Sequence, residues 1–118
     1  MRQAGVLAAA GIYALQNNVA RLTQDHENAR ALASAVSQVG EVSVGYGASQ
    51  TNMVYLNVEP ALAEPMRQFL KQRGILVGGG NPIRLVTHLD VDGEDIALVS
   101  AAIIEFFTQT RATRSAAA

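Results

Sequence analysis

The sequence contains no cysteine in 118 residues. It therefore has no disulfide framework, no thiolate metal site and no cysteine nucleophile. It also lacks a basic cluster, because its nine lysines and arginines are scattered among ten acidic residues and the formal net charge is −1. Nucleic-acid-binding domains normally carry a basic stripe or patch, so we expect no nucleic-acid partner. Aromatic residues make up only 5% of a chain rich in alanine and aliphatic residues, which is typical of a helix-rich cytoplasmic domain.

A membrane-spanning segment is also missing. The apolar run over 4–15 follows Arg2 and so has the outline of a secretory signal peptide. It is too short to cross a bilayer as a helix, and Ala14-Leu15-Gln16 is not a small-x-small cleavage site. We therefore interpret the run as an ordinary helix and expect no membrane partner.

The first forty residues predict two helices. Residues 3–16 form the first, whose small side chains allow it to lie close against a neighbouring backbone. The second is predicted over 19–39, with Asn18 as its N-cap and Gly40 at its end. Its apolar residues recur at three, four and seven positions, at Val19, Leu22, Ala29, Leu32, Val36 and Val39. Its solvent side is predicted to carry Gln24, Asp25, Glu27 and Arg30.

Beyond residue 40 the apolar period changes to alternation, which predicts strands. Four strands are predicted, over 41–44, 53–58, 75–77 and 83–89. Residues 61–73 are predicted as a helix with Pro65 in its first turn, where the missing N–H costs little. A last helix is predicted to begin at the N-cap Asp92 and to lose its apolar pattern after residue 107.

This order of elements predicts an α+β fold, with a small mixed or antiparallel sheet covered by helices largely on one face. Three parts of the chain are distinguished. A helical arm over 1–17 precedes the α+β domain at 18–110, and a disordered tail is expected over 111–118.

Few side chains suit catalysis. Lys71 is the one lysine, and because Phe69 and Leu70 take the buried side of its helix it is predicted to face water, unlike a Schiff-base lysine. His26 has no ligand partner one helical turn away, so a structural or interface role is favoured. His88 is followed by Asp90 and Asp92, which makes a metal site conceivable. Asp92 is better explained as a helix cap, so no metal site is predicted.

The glycines Gly78, Gly79 and Gly80 are a candidate phosphate loop. A phosphate loop requires the N-terminus of a helix immediately after it. A strand is predicted to follow, so the three glycines are interpreted as a turn.

Arg84 is a charged residue in an otherwise apolar strand. An unpaired guanidinium is costly to bury, so it should meet a carboxylate, a phosphate or water. Strand geometry predicts that Arg84 shares a face with Val86 and His88. Two interpretations stay open: an exposed or ion-paired residue, or a residue that holds an amino-acid carboxylate through two hydrogen bonds.

Several stretches resemble the low-specificity L-threonine aldolases, in the same order and at similar spacing. They are Met1–Gly5 with Leu7–Gly11, Asp25–Ala29, Gln50–Val54 and Arg84–Asp90. The resemblance covers essentially the whole chain, and the heptapeptide from Arg84 to Asp90 together with the opening motif makes it specific.

The resemblance implies the aspartate-aminotransferase-like fold of a fold-type-I pyridoxal-phosphate enzyme, with this chain as its C-terminal small domain. It implies a homo-oligomer that cleaves L-threonine or L-allo-threonine to glycine and acetaldehyde, with the cofactor on a lysine of the large domain. Arg84 matches the arginine that binds the substrate's α-carboxylate. Arg2 matches an arginine near the cofactor phosphate, across a subunit interface, and His26 matches a structural position.

Lys71 does not match the family's Schiff-base lysine, so we expect a fragment that is inactive by itself. Two alternatives from other classes stay open. One is a non-catalytic module that binds amino acids, and the other is an oligomerisation module that associates through the small-residue helix at 4–15.

Overall fold

The computed structural model describes residues 2–45 and 51–118. These residues form four helices and three strands, in the order α1 (Ala4–Asn17), α2 (Leu22–Val36), β1 (Ser43–Gly45), β2 (Met53–Asn57), α3 (Pro60–Lys71), β3 (Ile83–Val86) and α4 (Gly93–Ala116). The strands form one antiparallel sheet in the order β1-β2-β3. The predicted α+β architecture is therefore confirmed.

One face of the sheet is buried beneath the helices. Val54 and Leu56 of β2 and Ile83 and Leu85 of β3 are at most 8% exposed, while the residues between them face outward. Helix α2 lies against β1 and β2, and α4 packs against both α2 and α3. The alternation read from the sequence thus assigns the two faces of β2 and β3 correctly, because side chains alternate across a sheet.

The start of α2 differs from the prediction. Asn18 ends α1, where its N–H donates to the carbonyl of Ala14 at 2.8 Å. A turn follows in which the N–H of Leu22 donates to the Val19 carbonyl at 3.2 Å, and α2 begins only after it. Val19 and Leu22 are exposed rather than buried. The helical spacing of apolar residues therefore extends beyond the N-terminus of α2, because residues in a turn can have the same spacing by chance.

The predicted strand over 75–77 is wrong. In the part of the chain that the structure describes, these residues pair with no strand. Instead Gly74, with φ of +76°, ends α3, and the N–H of Ile75 donates to the Leu70 carbonyl at 3.0 Å. Strand β3 also stops at Val86, three residues earlier than predicted.

Helix α3 begins one residue earlier than predicted, so Pro65 does not lie in its first turn. Pro60 stands in the first helical turn, and Pro65 lies inside the helix. Pro65 cannot donate to the carbonyl four residues earlier, at Ala61. Both residues are exposed, so water can reach that carbonyl.

The N-terminus of α4 has the predicted cap. A carboxylate oxygen of Asp92 accepts hydrogen bonds from the N–H groups of Glu94 and Asp95, at 2.8 and 3.0 Å. The carboxylate of Asp95 accepts from the N–H of Asp92 at 3.1 Å, which completes a capping box.

The C-terminus of α4 departs from the prediction. The helix continues through Ala116, so most of the tail predicted over 111–118 is helical. Two ion pairs hold these last turns against the body of the protein, Arg111 to Glu41 at 3.0 Å and Arg114 to Glu59 at 2.9 Å. The apolar pattern cannot show such long-range polar contacts.

Asp25 was predicted to face solvent, and this is wrong. It is 2% exposed, and its carboxylate accepts two hydrogen bonds from Arg21, at 2.6 and 3.0 Å. Its backbone carbonyl accepts a third from the hydroxyl of Thr87, at 2.6 Å. Asn28, one turn later, is also buried and donates to the Val91 carbonyl at 3.1 Å. One side of the first turns of α2 is buried because Thr87 and the segment after β3 lie on it.

We expect the Thr87→Val substitution to lower the free energy of unfolding by about 1–2 kcal/mol, because the Asp25 carbonyl loses a buried hydrogen bond while the side-chain shape is kept. Urea titration measures this loss. Thr108→Val is the matched control, since the exposed Thr108 hydroxyl donates to the carbonyl one turn before it. Equal losses of unfolding free energy in the two variants would show that the Thr87 hydrogen bond stabilises the fold no more than the Thr108 hydrogen bond does.

Candidate functional site

Arg84 lies in the middle of β3 and points away from the helices. It stands opposite Tyr55 of β2 and is exposed, as are Val86 and His88 on the same face. The residues between them, Leu85 and Thr87, are buried. The face predicted for Arg84 is therefore the one observed.

Arg84 has no protein partner among the residues that the structure describes. The sequence has eight arginines, and five of them form ion pairs with carboxylates: Arg21, Arg67, Arg73, Arg111 and Arg114. The ion-paired interpretation of Arg84 therefore does not hold within that part of the chain. A guanidinium with five free N–H donors on a sheet face can accept an anion.

A cavity of about 630 Å³ opens beside β3 and includes Arg84 in its lining. Its outer part is formed by Leu76, Gly78, Gly79, Arg84, Val86 and His88. Its inner part is formed by Leu32, Ile75, Val77, Leu85, Thr87, Val91, Ile96 and Val99. None of the described residues in the lining is Asp or Glu, so none of them neutralises the charge of Arg84.

The backbone edge of β3 is free on the cavity side. The N–H of Thr87 donates to the Asn52 carbonyl at 2.9 Å. The odd-numbered residues of β3 therefore direct their backbone N–H and carbonyl groups toward β2. Arg84 and Val86 are even-numbered, so they direct their backbone groups away from β2. Within the described residues, no backbone hydrogen bond joins 76–79 to this edge.

Segment 76–79 forms the opposite wall and is held at both ends. The N–H of Ile75 bonds to α3, and the guanidinium of Arg67 donates to the Gly80 carbonyl at 2.9 Å. A methyl group added to Gly78 would lie 3.6 Å from the Arg84 carbonyl oxygen, so the wall approaches β3 at this point. The glycines are followed by β3, which agrees with the predicted turn rather than with a phosphate loop.

His88 also lines the cavity, and about half of its side chain is exposed. Its Nδ1 accepts a hydrogen bond from the N–H of Asp90 at 3.3 Å, so in the neutral ring the proton is on Nε2. Asp92 is engaged in the capping box of α4. The described residues contain no group of three or more His, Cys, Asp or Glu side chains arranged for a metal ion.

The remaining candidate residues lie away from this cavity. Lys71 is exposed at the end of α3, as predicted. His26 is half-buried at the edge of the buried face of α2. Arg2 is exposed and precedes α1, a helix with no buried residue. Arg2 does not line the cavity, so it is not brought together with Arg84 there. Met1 and Gln50, which belong to the quoted motifs, lie outside the described residues.

Sequence reasoning missed the residues that hold β3 in place. Thr87 donates to Asp25 of α2, and the side-chain amide of Asn52 donates to the Thr87 carbonyl at 2.8 Å. These contacts fix the end of the strand that carries Arg84. One signal was available: alternation from Leu85 predicts that Thr87 is buried, and a buried hydroxyl requires a partner.

No helix in the described part of the chain is long and apolar enough to cross a membrane.

Comparisons with known proteins point to one group of enzymes. The family model described as beta-eliminating lyase matches residues 1–59. The low-specificity L-threonine aldolase of Escherichia coli K12 is 46% identical over 101 residues, which cover 86% of this chain and 29% of that protein. Low-specificity L-threonine aldolase 1 of Arabidopsis thaliana is 39% identical over 101 residues, with 81% and 28% covered. The chain therefore spans less than a third of the length of these relatives.

A solved structure shares the fold. It is a C-DES mutant with glycine covalently linked to its PLP cofactor, and it superposes with a TM-score of 0.66. The match covers 85% of this chain and 28% of the other, at 23% sequence identity. At this identity the likeness concerns the fold alone, and it agrees with the predicted fold-type-I architecture.

Proposed function

Because this chain belongs to the beta-eliminating lyase family, we propose that it forms the C-terminal small domain of a threonine aldolase, in which Arg84 binds the carboxylate of the substrate. The complete enzyme would use pyridoxal phosphate to cleave L-threonine or L-allo-threonine to glycine and acetaldehyde. Identities of 46% and 39% to proteins named as threonine aldolases support this choice within the family.

The observation that carries the proposal is the guanidinium of Arg84, which has no partner within residues 2–45 and 51–118. It lines a cavity without acidic side chains, on a strand that the core holds in place. A planar guanidinium donates two parallel hydrogen bonds to a carboxylate, which fixes the orientation of the bound molecule as well as its position. The role of Arg84 is therefore to bind and orient the substrate.

The side chains of this chain do not fit the cofactor's aldehyde. Carbon–carbon cleavage by pyridoxal phosphate begins with the cofactor held on a lysine. Lys71 is the only lysine in the sequence, and it is exposed at the end of α3 and outside the Arg84 cavity. The lysine would therefore come from the part of the enzyme that the relatives have beyond this match.

Arg2 is proposed to approach the cofactor phosphate of a neighbouring subunit. It lies outside the Arg84 cavity and at the start of an exposed helix. The active site that Arg2 serves is therefore proposed to lie in another copy of the enzyme and not beside β3.

The helix α1 supports assembly into a homo-oligomer. None of its residues is buried. Its large apolar side chains are 55–71% exposed, at Val6, Leu7, Ile12, Tyr13 and Leu15. A helix that is apolar around its whole circumference is normally covered by other protein. We therefore expect α1 to pack against a second subunit.

The alternative function is a non-catalytic module that binds amino acids. Arg84 and its cavity favour this alternative as well, since both need only the residues of this chain. The two functions differ in what the chain does with pyridoxal phosphate and threonine.

We expect Arg84→Gln to weaken the binding of L-threonine by at least about tenfold, because a charge-assisted hydrogen bond contributes about 1.5–3 kcal/mol. Amide chemical shifts of β3, followed by NMR during a threonine titration, measure the dissociation constant. Arg30→Gln is the matched control: Arg30 is exposed and outside the cavity. An unchanged constant in Arg84→Gln would remove Arg84 from the site.

We expect this chain to leave the absorbance spectrum of pyridoxal phosphate as that of the free cofactor, and to form no acetaldehyde when L-threonine is added. The reason is that Lys71 faces water and lies away from Arg84. The spectrum and an acetaldehyde assay are recorded together. The proposal would be contradicted if threonine changed the absorbance spectrum and if Lys71→Gln abolished that change.

We expect Gly11→Leu to weaken self-association of the chain without affecting its fold. A Cβ atom added at Gly11 meets no described atom within 4 Å apart from its chain neighbours and the backbone of its own helix, so the larger side chain is expected to act on whatever packs against α1. Sedimentation equilibrium measures the association constant. Ala31→Leu, at an exposed position of α2, is the control. A chain that is monomeric at every concentration would contradict the role of α1.

A further inference from the structure

We propose that Met53 is a site of oxidation, and that the sulfoxide formed there weakens the binding of anions to Arg84. Met53 and Arg84 lie on neighbouring strands, on the face of the sheet that points away from the helices. The oxidation site follows from the exposure and the contacts of Met53 alone. Its effect on anion binding rests on the proposed function of Arg84.

Methionines carry all the sulfur of this chain, because the sequence has no cysteine. Met66 is fully buried in the hydrophobic core. Met53 is half-buried, so solvent reaches part of its side chain, and Met1 lies outside the described residues. Oxidation of a thioether follows its exposure to the oxidant. Within residues 2–45 and 51–118, Met53 is therefore the methionine that an oxidant in solution reaches first.

The sulfur atom of Met53 already has a hydrogen-bond donor beside it. The hydroxyl of Tyr55, two residues along β2, donates to Sδ at 3.7 Å. A thioether sulfur is a weak acceptor, and in the described part of the chain this hydroxyl has no stronger one. The Tyr55 hydroxyl is thus placed to donate to an oxygen atom attached to this sulfur.

The oxidation requires only a peroxide. A lone pair of Sδ attacks one oxygen of hydrogen peroxide, the O–O bond breaks and an S–O bond forms. The second oxygen leaves as water with both protons, so the sulfur loses two electrons and the peroxide is reduced. The sulfoxide oxygen accepts a hydrogen bond from Tyr55. A sulfoxide at Met66 would instead lie in the hydrophobic core, where a polar group without a partner is costly.

The strand register brings the sulfoxide close to Arg84. Tyr55 stands opposite Arg84, and Met53 stands opposite Val86. Met53 and Arg84 are therefore diagonal neighbours on one face, with Cα atoms about 7–8 Å apart, a distance that two long side chains span. The sulfoxide oxygen has a second lone pair for the guanidinium, which has no protein partner among the described residues. A guanidinium that donates to this oxygen has fewer N–H groups left for an external anion.

The first experiment treats the 118-residue chain with hydrogen peroxide and locates the added oxygen by tandem mass spectrometry of its peptides. Met53 is expected to be oxidised at least about tenfold faster than Met66, because the oxidant reaches Met66 only when the core opens. Equal rates at the two methionines would overturn the oxidation site.

The second experiment compares the chain before and after oxidation by NMR. The Nε–H signal of Arg84 is expected to shift, because the guanidinium gains an acceptor within the chain. The dissociation constant for L-threonine, measured from the amide signals of β3, is expected to rise about threefold, because the ligand must displace this one hydrogen bond.

Met53→Leu and Met66→Leu are the matched variants, since leucine replaces methionine with a similar volume. In Met53→Leu the thioether is gone, so peroxide should change neither the Arg84 signal nor the dissociation constant. Met66→Leu keeps the thioether of Met53 and should show both changes. Each variant is compared with itself before oxidation, so an altered starting affinity does not affect the result.

The possible results separate this inference from the proposed function. If the unoxidised chain binds L-threonine through Arg84, and oxidation of Met53 changes neither readout, the effect on Arg84 is wrong and the role of Arg84 stands. If the unoxidised chain does not bind L-threonine, or if Arg84→Gln leaves binding unaffected, the role of Arg84 fails. The mass spectra and the Nε–H signal then still decide whether Met53 is oxidised and whether its sulfoxide reaches Arg84. Equal changes in Met53→Leu would overturn the inference.

Discussion

The hydrogen bond from the Thr87 hydroxyl to the Asp25 carbonyl determines how the site is built. It joins the end of β3 to the first turns of α2, two segments that are 62 residues apart in the chain. Asn52 holds Thr87 from the other side through its carbonyl and its side-chain amide. Once Thr87 is fixed inward, alternation along the strand directs Arg84 outward, because the two residues have opposite parity.

The same contact explains why several polar residues are buried. Backbone groups at the junction of α2 and β3 leave water and must find partners within the protein. Asn28 provides one for the Val91 carbonyl, while Arg21 neutralises the buried carboxylate of Asp25. This junction also forms part of the floor of the cavity, so the contacts that stabilise the fold also support the site. Arg84 differs from Arg21 in having no carboxylate partner in the part of the chain that the structure describes.

Membership of the beta-eliminating lyase family and the geometry of this chain lead to the same division of roles. The chain has a cavity lined by Arg84, which we propose to be a site for an anion, and it has an exposed apolar helix, which we propose to be covered by other protein. It does not hold a lysine near that anion site. These features fit the proposed role, in which this domain binds and orients a substrate while the cofactor chemistry is performed elsewhere in the enzyme.

The sequence by itself determined the fold class, the faces of β2 and β3, the cap at Asp92 and the solvent-facing position of Lys71, because each depends on residues close together in the chain. The resemblance to threonine aldolases, carried by short motifs, was also visible there. Only the tertiary structure decided that Asp25 is buried, that 75–77 does not pair with β3, that α4 continues to Ala116 and that Arg84 has no partner among the described residues. These features depend on contacts between residues tens of positions apart, and neither the period of apolar residues nor the local propensity carries that information.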